Sequence, residues 1–259
     1  MSKHKHIIFA IHGLGGHSGW FKNLADELAK HNIAFASFDL PGFGKNHNLV
    51  SSSSQFTKGH VESFQTWIEA ADTEFQKLIA NEPDAQITVM GHSLGALIAA
   101  MMPSLTKDHK LILSVPGFKG ASDTFDPGFF WSTIRKIVID KFILGNDVYV
   151  TLPPSPKKYP DPTEGDPLKV SEVTQTLLLE VLKMRAACKK QMPQVHSPVL
   201  MFKIEGDTVV DNNALPLYLD LIPHSNKELK VYSGADHDWI WREQTRTEIS
   251  KKIASYLEE

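Results

Sequence analysis

Residues 87–100 read Ile-Thr-Val-Met-Gly-His-Ser-Leu-Gly-Ala-Leu-Ile-Ala-Ala. The first four residues are aliphatic or β-branched, which is typical of a buried strand, and residues 94–100 have the composition of a buried helix. The turn between them, Gly91-His-Ser-Leu-Gly95, has the pattern G-x-S-x-G. A tight strand-to-helix turn of this kind exposes the serine hydroxyl at the top of a sheet, so Ser93 is the candidate nucleophile. The alternative is a glycine-rich turn whose serine has no chemical role.

The alternation of strand and helix continues on both sides of Ser93. Short apolar runs predict strands at residues 7–11, 33–38, 87–90, 111–115, 199–204 and 229–232. Helical patterns cover residues 19–30, 61–80, 94–102, 213–221 and 242–257. Strands that are apolar at consecutive positions and are separated by helices predict an α/β fold with a mostly parallel sheet of about six strands flanked by helices.

Residues 117–194 interrupt this rhythm, because they contain no clear strand pattern. They contain a helical pattern near residues 126–145, six prolines between residues 153 and 167, and a second helical pattern over residues 173–188. Proline favours extended loops rather than helices or central strands. We interpret this interval as a mostly helical cap inserted into a core that consists of residues 1–116 and 195–259.

The first helical pattern of the predicted cap has a broad apolar face. Four of its side chains are candidates to line a substrate pocket: Phe130, Ile134, Ile137 and Val138. Basic residues on the same stretch allow a transient contact with a lipid surface. The alternative is a helix that packs its apolar face on the core and leaves its charges in solvent.

Composition narrows the class of protein. The chain has 259 residues, a formal charge of −3 and 42% hydrophobic residues, which suits one globular α/β domain. This near-balanced charge does not indicate a basic surface that would bind nucleic acid. A single cysteine, Cys188, excludes an intramolecular disulfide and a cysteine-rich metal site, and we expect it to be a small buried residue. No apolar run reaches the roughly 18 residues of a membrane span and no signal peptide is apparent, so we expect a cytoplasmic protein.

A serine nucleophile needs a base and an acid that orients the base. His237, one of 12 histidines, lies between the last strand and the last helix, at the carboxyl end of a strand where ligands bind in open α/β sheets. Asp207 follows the strand at residues 199–204, and Asp211 is the rival acid. Asp236 and Asp238 flank His237, and we expect them to be capping or surface groups.

The stretch His12-Gly-Leu-Gly-Gly16 follows the first strand and can turn sharply. It lacks the spacing and the lysine of a phosphate-binding loop. Its Leu14 N–H and the N–H of Leu94, the residue after the nucleophile, are candidate donors to a tetrahedral oxyanion. We expect His12 to brace this loop. His17 and His92 are predicted to be structural, and residues 39–44, Asp-Leu-Pro-Gly-Phe-Gly, to form a tight turn.

Together these motifs resemble those of the α/β-hydrolase superfamily, and within it the branch of monoacylglycerol lipases and lysophospholipases. The matching stretches cover residues 12–19, 39–44, 59–64, 91–95, 206–211 and 227–237. The branch often has methionine and a further glycine in the elbow where this chain has Leu94 and Ala96. The antiparallel strands that usually open the fold have no counterpart before residue 7, which again predicts about six strands.

This resemblance implies ester hydrolysis through a serine acyl-enzyme, with Ser93, Asp207 and His237 as the triad and the amides of Leu14 and Leu94 as the oxyanion hole. It also implies a small-molecule or lipid ester as substrate, with no metal and no organic cofactor. A short-chain carboxylesterase, a thioesterase and an acyltransferase are the alternatives among enzymes. A ligand-binding protein on a hydrolase fold is the alternative without turnover.

Overall fold

The structure, a computed structural model, describes residues 5–47, 58–120, 147–152 and 160–259. Its strands are β1 (His6–Ile11), β2 (Ile33–Ser37), β3 (Gln86–His92), β4 (Lys110–Ser114), β5 (Tyr149–Thr151), β6 (Glu172–Thr174), β7 (Val199–Ile204) and β8 (Lys227–Tyr232). Its α-helices are α1 (Lys22–Ala29), α2 (Gln65–Asn81), α3 (Leu94–Met101), α4 (Gln175–Gln191), α5 (Ala214–Asp220) and α6 (Glu243–Glu258).

Six strands form one sheet in the order β2-β1-β3-β4-β7-β8, and every neighbouring pair is parallel. Each of the six predicted strands overlaps one of these strands, so the predicted sheet is confirmed. All six residues of β1 are buried. Burial on both faces explains the consecutive apolar residues, because helices cover both sides of a parallel sheet.

The two faces of the sheet have separate hydrophobic clusters. Phe9 of β1 points to the cluster that contains helices α2, α3, α4 and α5, whereas Ile8 points to the cluster that contains α1 and α6. The chain runs from β1 to β2 on one side and returns to β3 on the other side of β1. In open α/β sheets, ligands bind at the carboxyl ends of the strands where the strand order reverses, which here is between β1 and β3.

Residues 117–194 differ from the prediction in one respect. Strands β5 and β6 pair antiparallel, with Val150 opposite Val173, so the expectation of no strand in this interval was wrong. Three residues are too few to show an alternating pattern, although their β-branched side chains favour strand. The second helical pattern is confirmed as α4, whose first turn is capped by the Thr174 hydroxyl.

The first predicted helix of the cap and its apolar residues Phe130, Ile134, Ile137 and Val138 lie outside the described residues. The division of the chain into core and cap therefore remains a prediction. In the described part of the chain, no helix is long and apolar enough to cross a bilayer. The same residues contain no group of three or more histidine, cysteine or acidic side chains that could hold a metal ion.

Candidate active site

Ser93 lies in the tight turn between β3 and α3, with φ 54° and ψ −115°. A residue other than glycine in this region is strained by about 1–3 kcal/mol and needs its surroundings to hold it. The flanking glycines permit the turn: a Cβ on Gly91 would overlap the backbone of Ala96, and a Cβ on Gly95 would overlap the carbonyl of Ile11. Backbone crowding around Ser93 therefore explains both glycines of the G-x-S-x-G pattern.

Hydrogen bonds fix the backbone of this turn on both sides of Ser93. The Ser93 N–H donates to the carbonyl of Ser114 at 2.9 Å. The Ser93 carbonyl accepts from the N–H of Ala96 at 3.1 Å and from that of Gly117 at 3.0 Å. Ser93 is half-buried, so its hydroxyl is held on a rigid turn without being sealed from ligands.

His237 and Asp207 form a direct pair. Nδ1 of His237 lies 2.7 Å from Oδ2 of Asp207, and the Asp207 side chain is 0% exposed. The other carboxylate oxygen accepts the N–H groups of Val209 at 2.8 Å and Val210 at 3.0 Å. Because a carboxylate only accepts hydrogen bonds, Nδ1 carries the proton, which leaves Nε2 free to act as a base.

Charge and burial oppose each other in this pair. Burial alone raises the pKa of Asp207, but His237 and the two backbone N–H groups outweigh it, so the pKa of the carboxyl is lowered. Burial alone lowers the pKa of His237, but the charge and hydrogen bond of Asp207, with Asp238 and Asp236, raise it overall. The pair is therefore set to stabilise a protonated imidazole next to an ionised carboxylate.

His237 lies on the loop after β8, residues 233–238 and here called the histidine loop, which contacts the turn at Ser93 through the imidazole of His92. His92 immediately precedes Ser93 in sequence, and its ring centroid lies 5.2 Å from that of His237. Nδ1 of His92 hydrogen-bonds the Ser114 hydroxyl at 3.1 Å, and Nε1 of Trp239 donates to the same oxygen at 2.9 Å. Burial, with the charge of His237, lowers the pKa of His92 to about 3, so His92 is neutral and structural, as predicted.

The loop after β1 lies against Ser93. A Cβ built on Gly13 would stand 3.0 Å from Cβ of Ser93. Nδ1 of His12 donates to the Gly13 carbonyl at 2.8 Å, and its Nε2 accepts the N–H of Leu40 at 3.0 Å. Burial lowers the pKa of His12 to about 4, so a neutral His12 braces the loop, which confirms the prediction. Leu14 follows Gly13 in this loop and is half-buried.

Residues from the predicted cap hold the other side of the same loop. The Gly15 carbonyl accepts the N–H of Val170 at 2.9 Å, and Gly15 has a φ of 77°. Nε2 of His17 donates to Asp166 at 2.8 Å, because its Nδ1 already accepts the N–H of Gly19. His17 is thus structural, as predicted, and it ties the loop to a segment 149 residues away in sequence.

The other acidic candidates have different partners. Asp211 forms an ion pair with Lys119 at 2.7 Å, and Asp207 rather than Asp211 holds His237. Asp236 is buried and pairs with Arg242 at 2.9 Å, and its Oδ1 accepts the Asp238 N–H at 3.2 Å, which fits the predicted capping role; the surface alternative was wrong. Its burial depends on a partner six residues later, which no local pattern reveals.

Two further predictions made from local sequence hold in the structure. The stretch from residue 39 to residue 44 is a tight turn, in which Gly42 has a φ of 85° and the Phe43 N–H donates to the Leu40 carbonyl. Cys188 is fully buried in the cluster that contains α3. Burial raises the pKa of its thiol to about 12, so the thiol is unreactive at neutral pH.

The site thus combines Ser93 in a tight strand–helix turn with a buried Asp207–His237 pair on an α/β sheet, and the sequence matches a hydrolase family. The family model described as "Serine aminopeptidase, S33", a hydrolase family, matches residues 2–245. The chain therefore belongs to this α/β-hydrolase family.

Individual relatives point to one branch of that family. Monoglyceride lipase of Rattus norvegicus is 22% identical over 245 residues, which cover 90% of this chain and 75% of that protein. Among solved structures, Paleococcus ferrophilus monoacylglycerol lipase has a TM-score of 0.73 at 21% identity, over 96% of this chain and 94% of that chain. A soluble variant of Saccharomyces cerevisiae monoglyceride lipase with a substrate analogue has a TM-score of 0.79 at 18% identity, over 99% of this chain and 87% of that chain. The predicted resemblance to monoglyceride lipase-like α/β hydrolases is confirmed.

Proposed function

We propose that the protein is a serine hydrolase that cleaves carboxylic esters through an acyl-enzyme. Ser93 is the nucleophile, His237 the general base and Asp207 the acid that orients it. The observation that carries this proposal is the 2.7 Å hydrogen bond between Asp207 and His237. The imidazole of His237 lies beside that of His92, the residue that precedes Ser93 in the strained turn.

In the first half-reaction, Nε2 of His237 takes the hydroxyl proton of Ser93 while Oγ attacks the ester carbonyl carbon. The carbonyl oxygen becomes an oxyanion, which the N–H groups of Leu14 and Leu94 stabilise; loss of one such donor costs on the order of a hundred- to thousandfold in turnover. The protonated His237 then gives its proton to the leaving alcohol as the C–O bond breaks. In the second half-reaction, water takes the place of the alcohol and releases the acid and free Ser93.

The substrate that we propose is a long-chain monoacylglycerol or a lysophospholipid. The similarity to a rat monoglyceride lipase and the likeness to a yeast monoglyceride lipase in complex with a substrate analogue support a lipid ester. We further propose that residues 117–194 form the cap and that Phe130, Ile134, Ile137 and Val138 line the acyl pocket. Each buried CH₂ contributes roughly 0.8 kcal/mol, so a long pocket selects strongly for chain length.

Release of free fatty acid from a long-chain monoacylglycerol tests this proposal. Wild type and Ser93→Ala are compared, with p-nitrophenyl butyrate and an amino-acid p-nitroanilide assayed beside the lipid. We expect rapid release from the lipid by wild type and none by Ser93→Ala. Turnover of butyrate alone would move the protein to the short-chain carboxylesterases. Turnover of the anilide alone would make it a peptidase, and no turnover in folded wild type would favour a ligand-binding role.

A further inference from the structure

Arg185 of helix α4 reaches the loop that follows β4. Its Nε donates to the carbonyl of Gly117 at 2.9 Å. The side chain is half-buried, and among the described residues no carboxylate forms an ion pair with it. A guanidinium is costly to bury without an opposite charge. Within the described chain, the only hydrogen bond of Arg185 is the one to the carbonyl of Gly117, next to the turn that carries Ser93.

Gly117 in turn contacts the backbone of Ser93. The Gly117 N–H donates to the Ser93 carbonyl at 3.0 Å. A Cβ built on Gly117 would lie 3.4 Å from the carbonyl carbon of Ser93, so the two backbones are in close contact. A displacement of Gly117 therefore changes the surroundings of the peptide bond between Ser93 and Leu94.

That peptide bond carries a proposed oxyanion donor. The carbonyl of Ser93 and the N–H of Leu94 belong to one planar trans unit and point in opposite directions. The hydrogen bonds that fix the Ser93 carbonyl therefore also fix the direction of the Leu94 N–H. These bonds include one from Ala96 in the first turn of α3 and one from Gly117.

The loop that carries Gly117 is itself strained. Val115 has a φ of 39°, which is unusual for any residue other than glycine and more so for a β-branched one. Its N–H donates to the Phe202 carbonyl at 3.1 Å, which fastens the loop to β7. Such a conformation persists only where contacts on both sides hold it, and on the far side of Val115 one of those contacts is the bond from Arg185 to Gly117.

We propose that Arg185 is a positioning residue for the oxyanion hole: it holds Gly117 against the Ser93 carbonyl and so directs the Leu94 N–H at the developing negative charge. This inference rests on the proposed serine hydrolase function. Because the oxyanion forms only in the transition state, the contribution of Arg185 affects kcat and leaves KM unchanged. It also affects the affinity for inhibitors that place a negative oxygen in the hole.

The test compares Arg185→Met and Arg185→Lys with Lys189→Met, an exposed lysine near the end of the same helix. For Arg185→Met we expect kcat for an ester to fall by about ten- to a hundredfold, less than the loss of a whole donor, with KM within about twofold. The affinity for an alkyl boronic acid falls by a similar factor. Arg185→Lys recovers part of both, since an ammonium also donates to a carbonyl, and Lys189→Met matches wild type.

Thermal unfolding of each variant separates positioning from loss of fold. If Arg185→Met is unfolded at the assay temperature, Arg185→Lys carries the test, and parallel losses in kcat and boronic acid affinity support the inference. Wild-type values of both in the folded variants overturn it, and so does a rise in KM at constant kcat. If wild type is active and the variants match it in kcat and boronic acid affinity, this inference is wrong but the proposed function stands. An inactive wild type overturns the proposed function and this inference with it.

Discussion

Among the proposed catalytic residues, Asp207 has the most closely defined contacts, because its buried carboxylate accepts from His237 and from two backbone N–H groups. Asp207→Asn keeps the size of the side chain but places an amide next to Nδ1, which favours the wrong imidazole tautomer. We expect kcat for ester hydrolysis to fall by about 10⁴-fold with little change in KM. Steady-state kinetics measure both, and the matched control is Asp211→Asn, which should stay near wild type. Equal losses in the two variants would contradict the assignment of the acid.

The pH dependence of kcat/KM follows from the same pair. The base works only as neutral imidazole, so activity is lost as pH falls through the pKa of His237. That pKa is raised above 6.5, mainly because Asp207 outweighs burial, and the acid limb should therefore lie above pH 6.5. In Asp207→Asn, burial prevails and the limb should move to lower pH. Titration of kcat/KM in both proteins measures this, and a limb at the same pH in both would exclude His237 as the titrating group.

At the scale of elements, strand β4 joins the two halves of the site through Ser114. Its carbonyl accepts the Ser93 N–H, and its hydroxyl contacts both His92 and Trp239. Ser114→Ala leaves the buried Trp239 N–H without its acceptor, so we expect the free energy of unfolding to fall by about 1–3 kcal/mol. We also expect kcat to fall by about tenfold, because the histidine loop loses its tie to the elbow.

Ser197→Ala is the control for that variant, because Ser197 is equally buried and its hydroxyl donates to the Thr106 carbonyl at 3.0 Å. It should lose about 1 kcal/mol of stability and keep its kcat. Denaturant unfolding and ester kinetics on the two variants give the comparison. A normal kcat in Ser114→Ala would show that β4 supports the fold without positioning the site.

Some strands and turns can be predicted from their own sequence, and others cannot. Strands such as β1 and β7 are apolar at nearly every position because both of their faces are covered, and this pattern is local. The turn at Ser93 is predictable because backbone crowding requires its glycines. Strands β5 and β6 are not predictable from local sequence, since each has three residues and is stabilised mainly by pairing with the other.

At the scale of the whole molecule, the residues that meet at the site come from distant parts of the chain. Chain order and strand ends predict that Asp207 and His237 come together, because the carboxyl ends of parallel strands share one edge of the sheet. The contacts of Arg185 with Gly117 and of Trp239 with Ser114 have no sequence signature. They depend on the packing of α4 and of the histidine loop, which only the assembled structure shows.

Covalent labelling by a fluorophosphonate is the most direct test of the central claim that Ser93 is an activated nucleophile. Intact mass and peptide mapping report how many labels attach and where. We predict one label on folded wild type, located on Ser93, no label on Ser93→Ala, and much slower labelling of Asp207→Asn. A folded wild type that stays unlabelled, or a label on any other residue, would contradict the account.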